Sequence, residues 1–473
     1  MEKRIIVNSL IYKFTERIAV KAIGLIISII MARMLMPEDF GTIAIIMIFI
    51  NISQIMIQGG FSSALIQKKE TTEDDYTTVC IIYIILSLVL VAILHIIAPI
   101  IGDFYSNDNI ALPLKVYSWS LVVGAFNSVQ LARLQKKMNF KVIMLCNLLA
   151  TLVSGAIGIV CAYMGVGLWA LILYYFLNVV CAMIIILIIE RWIPKGKFSR
   201  VSAESLFSFG WKMLVSSCIC SLYKDLRILI IGKMFSTADL GYYNRGQQFP
   251  EIISQTLDNS IQSVMFPAIS SVQENTLKVK TLLRKNIVLG SYIIFPVMVG
   301  LCLVSNELIS ILLTEKWMPC VIFMQLICIA EAKLPLTSAN LIVLKSLGHS
   351  DIYMKLEIIR RMIMLAILGM SLFYKSMIAI AVGYVISAWI DVIVVSIPMK
   401  KLLNYGFINQ FKDTFINYVT TLAMAITVVF VKSLIRSTCI VELTVSVIVG
   451  IFVYVVISII TKNQAFNELL LFF

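Results

Sequence analysis

Charge is scarce in this chain and histidine nearly absent. Of 473 residues, 14% are Asp, Glu, Lys or Arg, two are His and 60% are hydrophobic, and the mean hydropathy is +0.96. This balance excludes an ordinary soluble domain. No GxxxxGK[ST] run occurs, so the common phosphate loop of ATP hydrolysis is missing. The ten cysteines form no CxxC or Cys/His cluster of metal-ligand spacing. Most, such as Cys80, Cys146, Cys161 and Cys181, lie in apolar runs and read as small packing residues. His95 and His349 sit near span ends without partners in spacing and take no role. A cleavable signal pattern is also lacking, because charges interrupt the first apolar segment; it is expected to remain as the first helix.

What the chain does have is apolar sequence. Runs long enough to cross about 30 Å of hydrocarbon recur from near Leu10 to near Ile460, about 14 in number, with short polar connections between them. The expectation is an all-α polytopic integral membrane protein. When successive connections are placed on alternate sides, 24 of the 39 Lys and Arg fall on one side, including Lys136, Lys137, Lys195, Lys197, Arg360, Arg361, Lys400 and Lys401. By the positive-inside rule that side is cytoplasmic and holds both termini. The net charge of +13 is thus mostly a topology signal and needs no nucleic-acid partner.

Two stretches lying 200 residues apart repeat one another. Ala32–Gly41 (ARMLMPEDFG) is echoed by Gly232–Gly241 (GKMFSTADLG), and the same register pairs Asn51 with Glu251, Gln58 with Asp258 and Ser62 with Gln262. The basic joint from Arg191 to Arg200, with Pro194 and Gly196, divides an N-lobe (1–200) from a C-lobe (201–398). Each lobe holds six spans, so the copies are parallel and pseudo-symmetric about an axis along the membrane normal. A second basic joint, Met399 to Lys412, sets off residues 399–473 as a C-terminal helix pair, which carries few polar residues and reads as peripheral.

Polar residues inside the spans carry the functional signal. Asn244, Gln248, Glu251, Gln255, Asp258 and Gln262 follow helical spacing and share one face. That stripe suits a hydrated pathway or an interhelical seam. The first helix places Lys13, Glu16, Arg17 and Lys21 on one side of its wheel, and its counterpart in the second copy carries Lys212, Lys224, Asp225 and Arg227. A cation near the centre of a span costs about 3 kcal/mol when lipid-exposed, so most of these must face protein or water. Lys13 can snorkel to the cytoplasmic end, and Glu16 with Lys13, or Asp225 with Lys224 or Arg227, can form structural ion pairs. The surplus of cations over acids suits an anionic group such as phosphate or carboxylate.

The chain resembles the oligosaccharide-lipid flippases (Wzx-like) of the bacterial polysaccharide transporter family, within the multidrug/oligosaccharidyl-lipid/polysaccharide exporter superfamily. The likeness rests on Ala32–Gly41, Gly60–Gln67 (GFSSALIQ), Ala98–Tyr105 (APIIGDFY), Gly165–Leu171 (GVGLWAL), Asp225 followed by Ile230–Lys233, Leu240–Arg245 (LGYYNR) and Lys345–Asp351 (KSLGHSD). It implies two six-helix lobes around a central cavity, alternating access, and an undecaprenyl-pyrophosphate-linked oligosaccharide as substrate, with the polyprenyl tail in lipid. Capsule, exopolysaccharide or O-antigen synthesis is the implied setting, with a polysaccharide polymerase and chain-length machinery as downstream partners. On this footing Arg17, Lys21, Lys212 and Arg227 are expected to receive the pyrophosphate. Asn51, Gln58, Gln248, Gln255 and Gln262 are expected to face the glycan, and Glu251 or Asp258 to carry a coupling H+ or Na+; no cofactor is expected. A cation-coupled multidrug antiporter of the same superfamily is the competing function, but it calls for acidic cavity walls where this chain has a cationic excess. A membrane polymerase or glycosyltransferase would need a sizeable extracytoplasmic loop, and the longest candidate, Gly102 to Pro113, offers only Asp103 and Asp108.

Overall fold

The computed structural model describes residues 2–58, 61–68, 70–204, 221, 225–435 and 437–470, and among these the chain is helical with no strand. Two compact units divide it, Met1–Gly241 and Tyr242–Phe473. In the first, α1 (Glu2–Met34), α2 (Pro37–Gln58), α3 (Phe61–Gln67), α4 (Glu73–Tyr105), α5 (Ala111–Ser118), α6 (Ser120–Lys136), α7 (Phe140–Tyr163) and α8 (Leu168–Glu190) are followed by helical residues 225–234 and the first turn of α9 (Thr237–Ser270). The second contains the rest of α9, then α10 (Thr276–Leu303), α11 (Ser305–Leu313) and a 3-10 turn at Glu315–Cys320. It continues with α12 (Val321–Glu331), α13 (Leu334–Ser346), α14 (Ser350–Leu372), α15 (Met377–Leu403), α16 (Phe407–Leu434), α17 (Cys439–Ile460) and α18 (Gln464–Leu470).

Eight of these helices (α2, α4, α7, α8, α10, α15, α16 and α17) are long and apolar enough to span a membrane, or nine spans if the segment Glu315–Ser346, bent by 40° between α12 and α13, counts as one. The protein is an all-α, multi-pass membrane protein. Helices α1, α9 and α14 have the length, at 33, 34 and 23 residues, but too many charged and polar side chains to meet that standard. Among the described residues, eight or nine of the about 14 expected spans thus have simple spanning character, and residues 205–220, where another is expected, lie outside the described residues.

Local chemistry sets the helix ends. Pro37 opens α2 with its ring-fixed φ, and Asp39 Oδ2 accepts from Met36 N at 3.0 Å, supplying an orphan amide of the first turn. Thr72 and Asp75 close a reciprocal capping box at the start of α4, where Lys68 also pairs with Asp75 at 2.7 Å. The basic joint after α8 is not a slack loop. Gly196 N and Ser199 N donate to Thr77 Oγ1 and Thr78 Oγ1, both at 2.9 Å, and Lys197 N donates to Asp74 Oδ1 at 2.8 Å, so residues 196–199 are strapped across the first turns of α4.

The duplication is visible in backbone conformation. Positive-φ residues recur at Met138 and Gly348 (56° and 75°), and at Gly165 and Lys375 (76° and 45°). The shift between copies thus grows from 200 residues at the Gly41 and Gly241 turns to 210 at the ends of α6 and α13.

The C-terminal helices are not peripheral, contrary to the sequence-based expectation. Helix α16 buries Gln410, Thr414, Asn417, Thr420 and Thr421 along one face. Asn417 Nδ2 donates to Ser291 Oγ at 2.8 Å, Tyr292 OH to Ser458 Oγ at 2.9 Å, and Gln410 exchanges two 2.9 Å bonds with Asn340. Around this seam Val288, Tyr292, Met424, Val428, Tyr454 and Ala465 form an apolar core.

Candidate functional site

In the first unit, α1 turns Glu16 inward and Arg17 and Lys21 outward. Glu16 is 8% exposed, accepts from Asn147 Nδ2 at 2.6 Å and pairs with Lys13 at 3.0 Å. Arg17 and Lys21, one turn apart, are exposed and make no hydrogen bond or ion pair among the described residues. Exposed cations in hydrocarbon would be costly, so this face of α1 meets water. Close packing holds α1 there: a Cβ on Gly155 of α7 would come within 2.1 Å of Ile27 Cδ1.

On α2, Asn51 is exposed, whereas Gln58 Nε2 donates to Ser128 Oγ of α6 at 2.9 Å. The second unit repeats that bond with a different group. Asp258, the counterpart of Gln58, accepts from Ser338 Oγ of α13 at 2.6 Å, and Ser128 and Ser338 are themselves 210 residues apart. Gln262 donates to Asp258 Oδ1 at 3.1 Å and to Ser338 Oγ at 2.9 Å. The α9 stripe therefore does not face a single environment: Asp258 and Gln262 are engaged with α13, Gln255 is exposed, Gln248 bonds Arg245 and Glu251 bonds Gln247.

A second carboxylate lies close to Asp258. Glu331, 6% exposed at the last position of α12, accepts from Ser254 Oγ at 2.8 Å and Tyr384 OH at 3.0 Å and interacts electrostatically with Asp258. Both acids are held by neutral donors, with no cation paired to either among the described residues. The backbone breaks here. Glu331 ends one half-helix and Lys333 precedes the next, each at the dipole end that disfavours its charge, so partners must hold them. For Lys333 that partner is Asp391, at 2.8 Å.

Asp391 escaped the sequence reading. It lies in an apolar run of α15, is 8% exposed and binds Lys333 together with Arg360, whose Nη2 donates at 2.9 Å. Arg360 and Arg361 were expected in a basic connection; instead they lie within α14 and both pair with Glu357. A lone Asp in apolar sequence signals a partner without naming it.

Of the remaining expected residues, Arg227 is half-buried and Asp225 accepts from Ser221 Oγ at 3.3 Å. Lys212 and Lys224 lie outside the described residues. Helices α10, α16 and α17 also border an apolar groove of about 740 Å³ in the second unit, lined by Pro296, Gly300, Met424, Gly450 and Tyr454 among others.

The family whose model describes polysaccharide biosynthesis proteins matches residues 30–322. The chain belongs to that family. It is 21% identical to an uncharacterized membrane protein in the cps region of Klebsiella pneumoniae, over 94% of this chain and 93% of that one. The lipopolysaccharide biosynthesis protein WzxC of Escherichia coli is 26% identical over 65% of this chain and 63% of its own length. The succinoglycan biosynthesis transport protein ExoT of Rhizobium meliloti is 21% identical over 70% and 67%. Among solved structures, the lipid II flippase MurJ in an inward closed conformation superposes with a TM-score of 0.77 at 14% identity, covering 97% of this chain and 99% of that one. An inward-facing multidrug resistance transporter of the MATE family gives 0.60 at 16% identity, over 80% and 94%. These likenesses establish the shared fold.

Proposed function

We propose that this protein is a flippase that carries undecaprenyl-pyrophosphate-linked oligosaccharide repeats across the bacterial cytoplasmic membrane by alternating access, for capsule, exopolysaccharide or O-antigen-type synthesis. The observation that carries the reading is the pair of cations Arg17 and Lys21, without a partner among the described residues, on a helix whose Glu16 is turned inward, in a chain of a polysaccharide biosynthesis family. Guanidinium and ammonium groups one turn apart can bind adjacent phosphates directly. Arg227, and Lys212 on the equivalent stretch of the second copy, join them. Asn51, Gln255 and Gln248 offer amides to the glycan, while Gln58 and Gln262 hold α2 and α9 to their neighbours. The polyprenyl tail stays in lipid against apolar helix faces such as the second unit's groove. No bond is made or broken, so the protein acts as a transporter, with both termini cytoplasmic and polymerase and chain-length machinery downstream.

For coupling, Asp258 with Glu331 is the better candidate than Glu251. Two buried carboxylates held only by hydroxyl and amide donors can take up H+ or Na+ as a unit. The test is deletion in the native host, followed by mass spectrometry of the lipid-linked pool and quantification of surface polymer. Lipid-linked repeat should accumulate and surface polysaccharide disappear, and the Arg17→Ala/Arg227→Ala double variant, at normal protein level, should reproduce the defect. An unchanged lipid pool with new drug sensitivity would favour the antiporter instead.

A further inference from the structure

At the Lys/Arg-poor end of the first unit, the turns after α1, α4 and residue 234 enclose a polar pocket of about 480 Å³, a size in the range of small-molecule sites, roughly 300–1,000 Å³. Its walls are fixed. Asn107 donates to Thr42 Oγ1 at 3.0 Å and accepts from Asn109 N at 2.9 Å, and the carbonyl of Thr237 lies against Gly41 so closely that a Cβ there would sit 1.7 Å away. Its mouth is unspent: the side chains of Glu38, Ser106, Asn109 and Thr237 line it and make no hydrogen bond among the described residues.

The charges narrow the occupant. Glu38 and Asp39 bring two carboxylates, against the single cation Lys233, which is already bonded to the Phe104 carbonyl and sits 4.3 Å over the Phe104 ring. A pocket so charged repels phosphate. No group of three acidic, His or Cys ligands is found among the described residues, so a metal ion is disfavoured too. What remains is a neutral, hydroxyl-rich ligand, whose vicinal hydroxyls donate to the carboxylate and exchange hydrogen bonds with amide and hydroxyl groups.

We infer that this pocket is a carbohydrate-binding site that engages the glycan on the face where it is released, separate from the cations that hold the pyrophosphate. The release side rests on the flippase reading; the carbohydrate chemistry does not. The probe is lipid- and phosphate-free oligosaccharide, released by mild acid from the native host's surface polysaccharide and added to the full chain in nanodiscs. Saturation-transfer NMR should report binding to the wild type, weakened at least tenfold by Asn109→Trp, which fills the pocket, and by Glu38→Gln/Asn109→Ala. Thermal melting of both variants should be unchanged, because these side chains are exposed, and inorganic pyrophosphate should not compete. Absent binding, undiminished binding in Asn109→Trp, or displacement by pyrophosphate would each overturn the assignment. The deletion strain separates the two claims: accumulated lipid-linked repeat with no NMR signal sinks the pocket alone, whereas NMR binding without accumulation sinks the flippase reading and leaves a carbohydrate site.

Discussion

Asp391 and Asp258 lie in the same unit, both less than a tenth exposed, with opposite kinds of partner. Asp391 neutralises Lys333 and shares Arg360 with Glu357, the two cations being 15% and 18% exposed, so Asp391→Ala strands the nearly buried Lys333 and leaves Arg360 with Glu357 alone. Removing one member of a buried ion pair costs about 3–5 kcal/mol, a large part of a typical net stability. Folded protein recovered from membranes should fall severely. Among the described residues Asp258 has Ser338 and Gln262 to satisfy, and the first unit makes the same bond with an amide at Gln58. Asp258→Asn should therefore keep its fold, with the melting temperature moving by a few degrees at most, while surface polysaccharide drops at least tenfold because the ionisable group is gone. Normal polysaccharide in Asp258→Asn would remove this carboxylate from the coupling scheme.

Between elements, the sharpest constraint is the crossing of the N-terminal turns of α2 and α9. A Cβ on Gly41 would lie 1.7 Å from Thr237 O, and one on Gly241 would lie 2.1 Å from Pro37 O, so each copy of the repeated turn presents its glycine to the other's backbone. Backbone cannot swing aside as a side chain can. Gly41→Ala or Gly241→Ala should force the turns apart, at a cost of about 1–3 kcal/mol or more, seen as a lower melting temperature and faster amide exchange at Pro37–Gly41 and Thr237–Gly241. Gly300→Ala, with open space around its Cβ, should do neither. This duplication was legible in the sequence because turn chemistry forced the same residues into both copies. The growth of the shift to 210 was not, since a left-handed turn can be made by Met138 in one copy and Gly348 in the other. The ion cluster was hidden for a different reason: Asp391 meets partners 58 and 31 residues away, at a distance that helical periodicity cannot relate. The cations of α1 were legible because Arg17 and Lys21 stand where an apolar helix cannot tolerate them, but nothing in their spacing tells that Glu16 turns inward to Asn147.

Across the whole molecule, the second unit runs to the C-terminus and includes the last helices, and the membrane decides how they are held. In lipid, parting two apolar helix faces costs little, because acyl chains replace the lost contacts, whereas a stranded hydrogen-bonding group has no water to turn to. The Gln410, Asn417 and Ser458 contacts should then dominate the attachment, more than the apolar core around Met424 and Val428. A chain ending at Leu403 would orphan Asn340 Oδ1 and remove the donor to Ser291 Oγ and the acceptor of Tyr292 OH; at about 1–3 kcal/mol per stranded buried group, it should lose most of its folded population. A finer measurement separates polar from apolar attachment. Gln410→Leu alone leaves the buried Asn340 Oδ1 without its donor, while Asn340 Nδ2 keeps the Leu336 carbonyl, and should destabilise by about 1–3 kcal/mol; Gln410→Leu/Asn340→Leu replaces both partners with apolar groups and should recover most of that loss. If the double variant melted as low as the single one, apolar packing rather than the polar seam would be what fastens the C-terminal helices to the unit.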